Sequence, residues 1–308
     1  MRQECLKVIF ENSKKDKKLI FIGSDLGPGV LKDFKKKFPK RYLMEGVSEQ
    51  AIIGFSAGLA MEGYKPYVNT IATFITRRCF EQICIDLCLH NLSVKLIGNG
   101  GGLVYAPLGP THQATEDISI LRVLPNMKII APCDSIEMRI LMKQIHKIKG
   151  PVYVRIAKGG DKIITSKSDK IKFGKAVIKK KPGKYLFLTT GVMAQIALQA
   201  IKKLERENIS TGLIHFGTIK PLDIGIIKKW APKVEKIITL EENVLAGGFG
   251  SSILEAISEN IPNQASKVRR VGIQDCFNEN YGTQEDLFKD FNFTSNHISN
   301  LVKKLHKV

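Results

Sequence analysis

The 308-residue sequence contains 44% hydrophobic and 25% charged residues, ordinary globular values that exclude a disordered or fibrous chain. This length predicts two domains, each able to bury its own core. The formal charge of +19 favours anionic partners, but the lysines are dispersed. Nucleic-acid binding is disfavoured because the densest basic run, residues 173–185, has no interleaved aromatics and is typical of a solvated loop.

The sequence shows no sign of membrane insertion or of a secretory leader. No apolar run is long enough to cross a bilayer, and the N-terminal residues lack a basic head followed by an uninterrupted apolar core. The six cysteines form no CxxC pair and no zinc-finger spacing, so Cys84 and Cys88 are expected to be small buried residues. We therefore expect a cytoplasmic protein with reduced cysteines.

Short β-branched runs alternate with longer helical patterns through the first half, which is typical of an α/β fold with a parallel sheet. In chain order we expect strand 19–25, helix 29–38, strand 41–46, helix 48–63, strand 65–70, a helix around 73–91 and strand 93–99. A loop rich in glycine and proline follows at 99–113, then a short helix from about 115, strand 127–132, helix 134–148 and strand 151–157.

A second α/β unit follows a break in this pattern. Residues 158–183 are rich in Gly, Ser and Lys and show no long periodic run. Beyond them we expect strands at 185–191, 211–217, 236–242 and 268–274, with helices at about 192–207, 222–231 and 248–260. The sequence therefore predicts two domains, each a mainly parallel sheet flanked by helices, over residues 1–160 and 184–308, with a linker at 161–183.

One carboxylate, Glu49, stands at the start of an apolar helix. Its neighbours Ile53, Phe55 and Ala57 are expected to be core residues, and a carboxylate among them would be desolvated unless it had a partner. An acidic residue in the first helical turn is favoured by the helix macrodipole, which is one explanation. A carboxylate held for catalysis is the other.

The motifs occur in an order that resembles the transketolase family, which includes deoxyxylulose-phosphate synthase. The first half resembles the family's pyrimidine-binding domain at VSEQAIIGFSAGLAMEGYKPYV, ATFITRRCFEQICIDLCLHNLSVKLIG, GPTHQATEDISILRVLPNMKIIAPCD and PVYVRIAKGG. The second half resembles the family's C-terminal domain at FGTIKPLD, LEENVLAGGFGSS and GTQEDL. The resemblance covers nearly the whole chain and implies the same two-domain α/β fold.

The resemblance implies a cofactor role for Glu49. In family members the glutamate at this position hydrogen-bonds N1′ of the aminopyrimidine ring of thiamine diphosphate. A glutamic acid that donates or shares a proton there favours the imino tautomer, whose exocyclic nitrogen can take the proton from the thiazolium C2. This implication favours catalysis over simple helix capping.

Two further kinds of residue match cofactor-binding positions. Phe74, in ATF, matches the aromatic that stacks on the aminopyrimidine, and Phe80 lies six residues further on. Which of the two stacks stays open, and core packing is the alternative for both. Asp25, in GSDL, matches an acidic position near the cofactor, although Ser-Asp before a turn is also a common end to a strand.

Substrate contacts are implied at the loop that ends in GPTHQ and at nearby cations. His112 matches the histidine that touches substrate oxygens and serves as an acid, base or hydrogen-bond donor; a structural histidine is the alternative. Arg77 matches a substrate-phosphate contact of the deoxyxylulose-phosphate branch. Leu108 stands where sugar-phosphate enzymes carry a hydroxyl-reading Asp, and Lys158 where they carry a phosphate-binding Arg. These two departures make the ordinary xylulose 5-phosphate and ribose 5-phosphate pair doubtful.

The family's second signature, GDG with a downstream asparagine, is absent from the sequence. The resemblance therefore implies the C-terminal half of a split enzyme. Thiamine diphosphate would be shared with an N-terminal transketolase-like subunit that carries GDG and the asparagine and holds Mg²⁺ or a similar divalent metal, so no metal ligand is assigned to this chain. A dimer of this chain joined to two partner chains, a heterotetramer, is the expected assembly.

The implied reaction is transfer of a two-carbon ketol unit from a ketose donor to an aldehyde acceptor, with sugars or sugar phosphates as substrates. Two alternatives stay open among enzymes: a deoxyxylulose-phosphate synthase-like subunit and a 2-oxo acid dehydrogenase E1 β-like decarboxylating subunit. An alternative of another class is a non-catalytic binding or regulatory subunit with a basic surface.

Overall fold

The computed structural model describes residues 1–24, 28–157 and 161–306. Within them the strands are β1 (Leu19–Gly23), β2 (Tyr42–Met44), β3 (Lys65–Ile71), β4 (Lys95–Asn99), β5 (Lys128–Ile130), β6 (Val152–Ile156), β7 (Val177–Lys180), β8 (Tyr185–Thr189), β9 (Thr211–His215), β10 (Thr218–Lys220), β11 (Lys236–Val244) and β12 (Val268–Ile273). The helices are α1 (Arg2–Lys15), α2 (Pro28–Lys37), α3 (Glu49–Met61), α4 (Phe80–Gln82), α5 (Asp117–Arg122), α6 (Ser135–Ile145), α7 (Met193–Glu205), α8 (Ile224–Trp230), α9 (Phe249–Asn260), α10 (Gln284–Asp290) and α11 (Ser295–His306).

The first sheet has seven strands in the order β10-β5-β6-β4-β3-β1-β2. The pairs from β5 to β2 are parallel, and β10 pairs antiparallel with β5. Six of these strands are the predicted ones, so the predicted α/β class is confirmed. β10 escapes prediction because three residues before Pro221 are too few to show a period.

The second sheet has five strands in the order β12-β11-β8-β9-β7. Its four predicted strands are parallel, and β7 pairs antiparallel with β9 at one edge. β7 lies in the stretch for which the sequence predicts no regular element. Its Gly- and Lys-rich surroundings hide a four-residue edge strand.

The predicted helix around 73–91 is present but is largely π-helical. Two π-helical segments, Phe74–Arg78 and Ile83–Leu89, flank the single turn of α4. π-helical turns in a helix are rare and frequently occur at functional sites. The first of them carries Phe74, which the sequence places at the cofactor, and Arg77, which it places at the substrate.

Three helices have no predicted counterpart. α1 buries Cys5, Leu6 and Ile9 on one face and packs against α6, so its apolar spacing was readable in the sequence. α10 begins with a capping box, in which the Thr283 side chain accepts from the backbone N–H of Asp286. α11 packs against α7.

The two sheets share a core and a buried polar contact. One hydrophobic cluster contains residues from both halves, and His215 on β9 reaches Glu137 on α6 with 2.9 Å between Nε2 and Oε2. The same carboxylate oxygen accepts from the backbone N–H of Cys133 at 2.7 Å. Burial alone would raise the pKa of Glu137, but the imidazole and these hydrogen bonds outweigh it and lower the pKa. The carboxylate therefore ties the domains together.

Among the described residues, no helix is both long enough and apolar enough to cross a membrane.

Candidate active site

Buried polar side chains gather at the carboxyl edge of the first sheet. Ser24 follows β1 and Glu45 follows β2, while Asn69 lies two residues before the end of β3 and Asn99 is the last residue of β4. Each has a buried polar atom without a hydrogen-bond partner among the described residues. Native proteins rarely leave such groups unpaired, and ligands of parallel α/β sheets bind at this edge. The edge is therefore a candidate site for a polar ligand.

Asn69 and Asn99 are site residues that the sequence analysis missed. The Asn99 Nδ2 atom donates to the Asn69 side-chain oxygen at 2.9 Å and to the Thr70 carbonyl at 3.0 Å. The signal was available, because an asparagine ends the apolar run of each of two neighbouring strands, YVN and LIGN.

Glu49 is the first residue of α3 and is 3% exposed. The turn before it places Gly46 at φ 64° and Val47 at φ 57°. A β-branched residue in the left-handed region is strained, and such strain clusters at functional sites. The Glu49 Oε2 atom accepts from Arg78 Nη1 at 2.9 Å, so the buried carboxylate has a cationic partner.

A second buried carboxylate, Glu45, lies beside Glu49. Its Oε1 atom accepts from the Thr70 hydroxyl at 3.0 Å, while its Oε2 atom is unpartnered among the described residues. Burial raises the pKa of Glu45, helped by the nearby Glu49 charge and opposed by the Thr70 hydrogen bond. The site thus holds two carboxyl groups in different surroundings.

Arg78, Phe74 and His112 continue from Glu49 as one series of contacts. The Arg78 guanidinium lies over the Phe74 ring, 4.4 Å from its centroid. The Phe74 ring meets the His112 ring edge-on at 5.1 Å, and the Thr73 hydroxyl donates to the His112 carbonyl at 2.9 Å. A carboxylate, a cation, an aromatic ring and an imidazole are therefore adjacent.

Arg77 points to the loop that carries His112. Its guanidinium donates to the Gln113 carbonyl at 2.7 Å and pairs with Glu116. These contacts hold the end of the loop against the π-helical turn. Phe80, by contrast, is partly buried and packs against the shared hydrophobic cluster.

Leu108 lies in a short 3₁₀ turn, Ala106–Leu108, and is half exposed. It lines a cavity of about 220 Å³ together with Asn99, Tyr105 and Ala157. This cavity adjoins the carboxyl ends of β4 and β6. Asp25 and Lys158 lie outside the described residues.

One sequence expectation about α3 is wrong. Ile53 and Ala57 are buried as predicted, but Phe55 is 48% exposed. The helix is apolar on more than one face, and the described residues of this chain cover only one of them. The sequence pattern shows that a face is apolar, but it cannot show which molecule covers it.

A buried network connects the second domain to the loop. The Glu242 Oε1 atom accepts from the Leu103 backbone N–H at 2.8 Å and from Gln284 Nε2 at 2.7 Å. Arg155 lies 4.0 Å from Glu242 and 2.9 Å from Asp117. Burial raises the pKa of Glu242 to about 7, against the opposing charge of Arg155. This network fixes the start of the loop that ends at His112.

Comparison with known proteins assigns both halves. The family model "Transketolase, pyrimidine binding domain" matches residues 1–160, and "Transketolase, C-terminal domain" matches residues 174–298. The chain is 32% identical, over all of its length and 94% of the relative, to 6-deoxy-6-sulfo-D-fructose transketolase subunit SqwH of Clostridium sp. (strain MSTE9). It is 33% identical to an apulose-4-phosphate transketolase subunit of Phocaeicola vulgatus, covering 94% of this chain and 92% of that protein.

A solved structure and a longer relative complete the comparison. A split gene transketolase, described as an inactive beta4 tetramer, superposes with a TM-score of 0.89 at 31% identity and covers 98% of this chain and 97% of that chain. 1-Deoxy-D-xylulose-5-phosphate synthase of Microcystis aeruginosa is 35% identical over 94% of this chain, which spans only 46% of that enzyme.

A two-domain α/β chain with these matches defines a transketolase-type subunit, and the chain belongs to the transketolase family. It is the C-terminal type of subunit of a split enzyme, a thiamine diphosphate-dependent transferase that functions with a partner subunit in an oligomer. The family uses thiamine diphosphate with a divalent metal.

Proposed function

We propose that this chain supplies the aminopyrimidine-activating half of a split transketolase, and that its partner subunit supplies the diphosphate and metal site. In this proposal Glu49 holds N1′, Phe74 supports the face of the ring, and His112 contacts substrate oxygens. Bound thiamine diphosphate supplies the electron sink for two-carbon ketol transfer. The observation that carries the proposal is the contact series from Glu49 through Arg78 and Phe74 to His112.

The residues present fit an aminopyrimidine. A planar cation, the Arg78 guanidinium, already stacks on Phe74 while donating to Glu49. An aminopyrimidine ring needs the same two contacts, an apolar face and a carboxyl group at its edge. Phe74 therefore suits the stacking role better than Phe80, which packs into the core.

Glu49 and Glu45, at the carboxyl edge of the first sheet, are the groups that can exchange a proton with the ring. Glu49 is shielded from water and can share a proton with a ring nitrogen that displaces Arg78. The unpartnered Oε2 atom of Glu45 lies beside it and can accept a further hydrogen bond. His112 contacts the Phe74 ring and belongs to the same loop as Leu108, so in this proposal a substrate oxygen approaches from the side of that loop.

The exposed apolar face next to Glu49 suits the docking of the partner subunit. Phe55 on α3 and Ile85 on the adjoining π-helical segment are both more than 40% exposed. Apolar patches of this kind mark interaction sites. A subunit bound here would close the side of the site that this chain leaves open and would bring its diphosphate site next to Glu49. Self-association into a dimer, and so a heterotetramer, is part of the proposal.

The substrates are a ketose donor and an aldehyde acceptor, as sugars or sugar phosphates. The half-exposed Leu108 presents no hydrogen-bond acceptor to a donor hydroxyl. Arg77 is engaged by Gln113 and Glu116 and would have to leave them to bind a phosphate. We therefore expect weak activity with xylulose 5-phosphate.

The test is cofactor binding by calorimetry with and without the partner subunit. The isolated chain should bind thiamine diphosphate poorly, and the reconstituted complex should bind it in a magnesium-dependent manner and transfer ketol units. Tight, magnesium-dependent binding by the isolated chain would refute the proposed division of labour. Release of CO₂ from a 2-oxo acid by the complex would favour the decarboxylating alternative.

Docking is tested separately by Phe55→Asp, with Ile224→Asp as the matched control. Ile224 is an exposed aliphatic residue at the start of α8 in the second domain. Phe55→Asp should weaken complex formation at least about tenfold, because burial of a large apolar side chain contributes about 1.5–3 kcal/mol. Equal affinities of the two variants for the partner would place the interface elsewhere.

A further inference from the structure

A basic cavity of about 440 Å³ lies at the end of the first sheet opposite the candidate active site. It forms where β3 and β4 begin, at Lys65 and Lys95, beside residues 146–149. α3 begins at Glu49 in the active site and ends near the cavity wall, so its 13 residues separate the two places by about 20 Å. The cavity is therefore distinct from the transketolase site.

Lys95 forms the floor of this cavity and is 2% exposed. Its ammonium donates to the Ile148 carbonyl at 2.8 Å and to the Gly150 carbonyl at 3.1 Å. An ammonium has three donors, so one is left for a ligand as far as the described residues show. Burial, and then the charges of Lys128 and Lys65, lower the pKa of Lys95 to about 7. A buried amine among other lysines is stabilised as a cation when an anion binds beside it.

Asp16, an acidic residue that contacts two of the lining residues, already has partners of its own. Asp16 accepts from Lys65 Nζ at 2.7 Å and lies 3.2 Å from His146 Nε2. The Tyr67 hydroxyl lies 2.9 Å from the other ring nitrogen of His146. Because Asp16 is engaged in these contacts, it does not pair with Lys95 or with the lysines at the rim.

The rim carries two exposed lysines, Lys147 and Lys149, and an aromatic side chain, Tyr64. Asn91 and Ser93 add hydrogen-bonding groups to the wall. The volume suits a small molecule, because ligand pockets usually measure about 300–1,000 Å³. The transketolase reaction assigns no role to these lysines, although the chain carries a charge of +19.

We propose that this cavity binds a phosphorylated small molecule, with its phosphate held by the ammonium groups of Lys95, Lys147 and Lys149. A phosphate dianion matches several point-like ammonium donors. Tyr64 lies where it can cover the rest of the ligand. A cavity of about 440 Å³, rather than an extended basic groove, favours a metabolite over nucleic acid.

The test is calorimetric titration of the whole purified chain with inorganic phosphate, ribose 5-phosphate and AMP, with ribose as the uncharged control. The phosphorylated probes should bind saturably at one site, and ribose should not bind. A higher affinity for ribose 5-phosphate or for AMP identifies the rest of the ligand as sugar or nucleoside. The double variant Lys147→Gln, Lys149→Gln should weaken binding at least about tenfold.

Three variants control the location. Lys35→Gln with Lys36→Gln removes the same charge from exposed positions on α2 and should leave affinity within about twofold. His112→Ala alters the active site and should also leave it unchanged. Lys95→Met, checked for folding by circular dichroism, should weaken binding as the rim variant does.

Three results would overturn the proposal. The first is that no phosphorylated probe binds saturably. The second is that the rim double variant and the α2 double variant lose affinity equally. The third is that His112→Ala loses affinity for the probes while the rim double variant keeps it. The last would place the phosphate in the active site. The isolated chain suffices for these measurements, so they succeed or fail independently of the split-transketolase proposal.

Discussion

Arg78 donates to Glu49 at 2.9 Å while its guanidinium covers the Phe74 ring at 4.4 Å. One side chain thus meets both groups that an aminopyrimidine ring requires. Removing a carboxylate from water is costly, and Arg78 offsets that cost while no ligand is bound. We therefore expect the aminopyrimidine ring to displace Arg78 from Glu49 and Phe74 when the cofactor binds.

Arg78→Ala should therefore have opposite effects on stability and on cofactor affinity. The free subunit should lose about 1–3 kcal/mol in free energy of unfolding, because the buried Glu49 carboxylate loses its partner. The reconstituted complex should bind thiamine diphosphate several-fold more tightly, because no guanidinium has to be displaced. Chemical unfolding and calorimetry measure the two effects.

Arg206→Ala is the control, since Arg206 is exposed at the end of α7. It should change neither quantity. If Arg78→Ala instead lowers cofactor affinity tenfold or more, Arg78 holds the cofactor rather than competing with it.

Leu108→Asp should raise kcat/KM for xylulose 5-phosphate by about 10- to 100-fold in the reconstituted complex. A carboxylate at this half-exposed position can accept a hydrogen bond from a donor hydroxyl, and such charged hydrogen bonds contribute about 1.5–3 kcal/mol. Leu108→Met, which stays apolar, should have no such effect. Equal kcat/KM values for the three proteins would show that residue 108 does not read the donor.

Glu242→Gln should change how stability depends on pH. Burial raises the pKa of Glu242 from 4.5, its ordinary value, to about 7 in the folded protein. Between pH 4.5 and pH 7 the folded state therefore binds a proton at Glu242 that the unfolded state has released. This contribution to stability is present below pH 4.5 and is lost as pH rises through 7.

Glutamine does not titrate, so the variant does not lose this stability as pH rises. Its free energy of unfolding, relative to that of wild type, should therefore increase by about 1–3 kcal/mol from pH 5 to pH 8. Urea unfolding at several pH values measures the difference. A difference that does not vary with pH would show that Glu242 stays ionised throughout.

Glu137→Ala should destabilise the protein by about 2–4 kcal/mol. The change leaves His215 and the Cys133 N–H buried without their shared acceptor, and unsatisfied buried donors are costly. Glu259→Ala, at an exposed position near the end of α9, should stay within about 0.5 kcal/mol of wild type. Equal stabilities of the two variants in urea unfolding would mean that the domains do not depend on this contact.

Much of the fold was readable from alternating apolar runs. The central strands of both sheets are continuous apolar segments, and their burial on both faces explains why the pattern predicts them. β7 and β10 were missed because an edge strand of three or four residues is fixed by its neighbours rather than by its own sequence.

The roles of the candidate site residues stay predictions. Motif order pointed to Glu49, Phe74 and His112, and the structure places them in one series of contacts. The role of Arg78 could not be read, because a π-helical turn changes which side chains share a face and Arg77 stands beside it in the same run. The exposure of Phe55 was also unreadable, since an apolar residue in an apolar helix does not show which face the rest of the chain covers.

The role of Glu49 in cofactor activation is tested most directly by the exchange rate of the thiazolium C2 proton in the reconstituted complex, followed by NMR for wild type and Glu49→Gln. The glutamine keeps the volume and a hydrogen bond but cannot share a proton with N1′ as a carboxylic acid does. If Glu49 shares a proton with N1′, the variant complex should stay intact and exchange should slow at least about tenfold, where each factor of ten is roughly 1.4 kcal/mol of barrier. Exchange at the wild-type rate, with a stability change of only about 0.3–1 kcal/mol, would contradict this role and reduce Glu49 to a charge at a helix end.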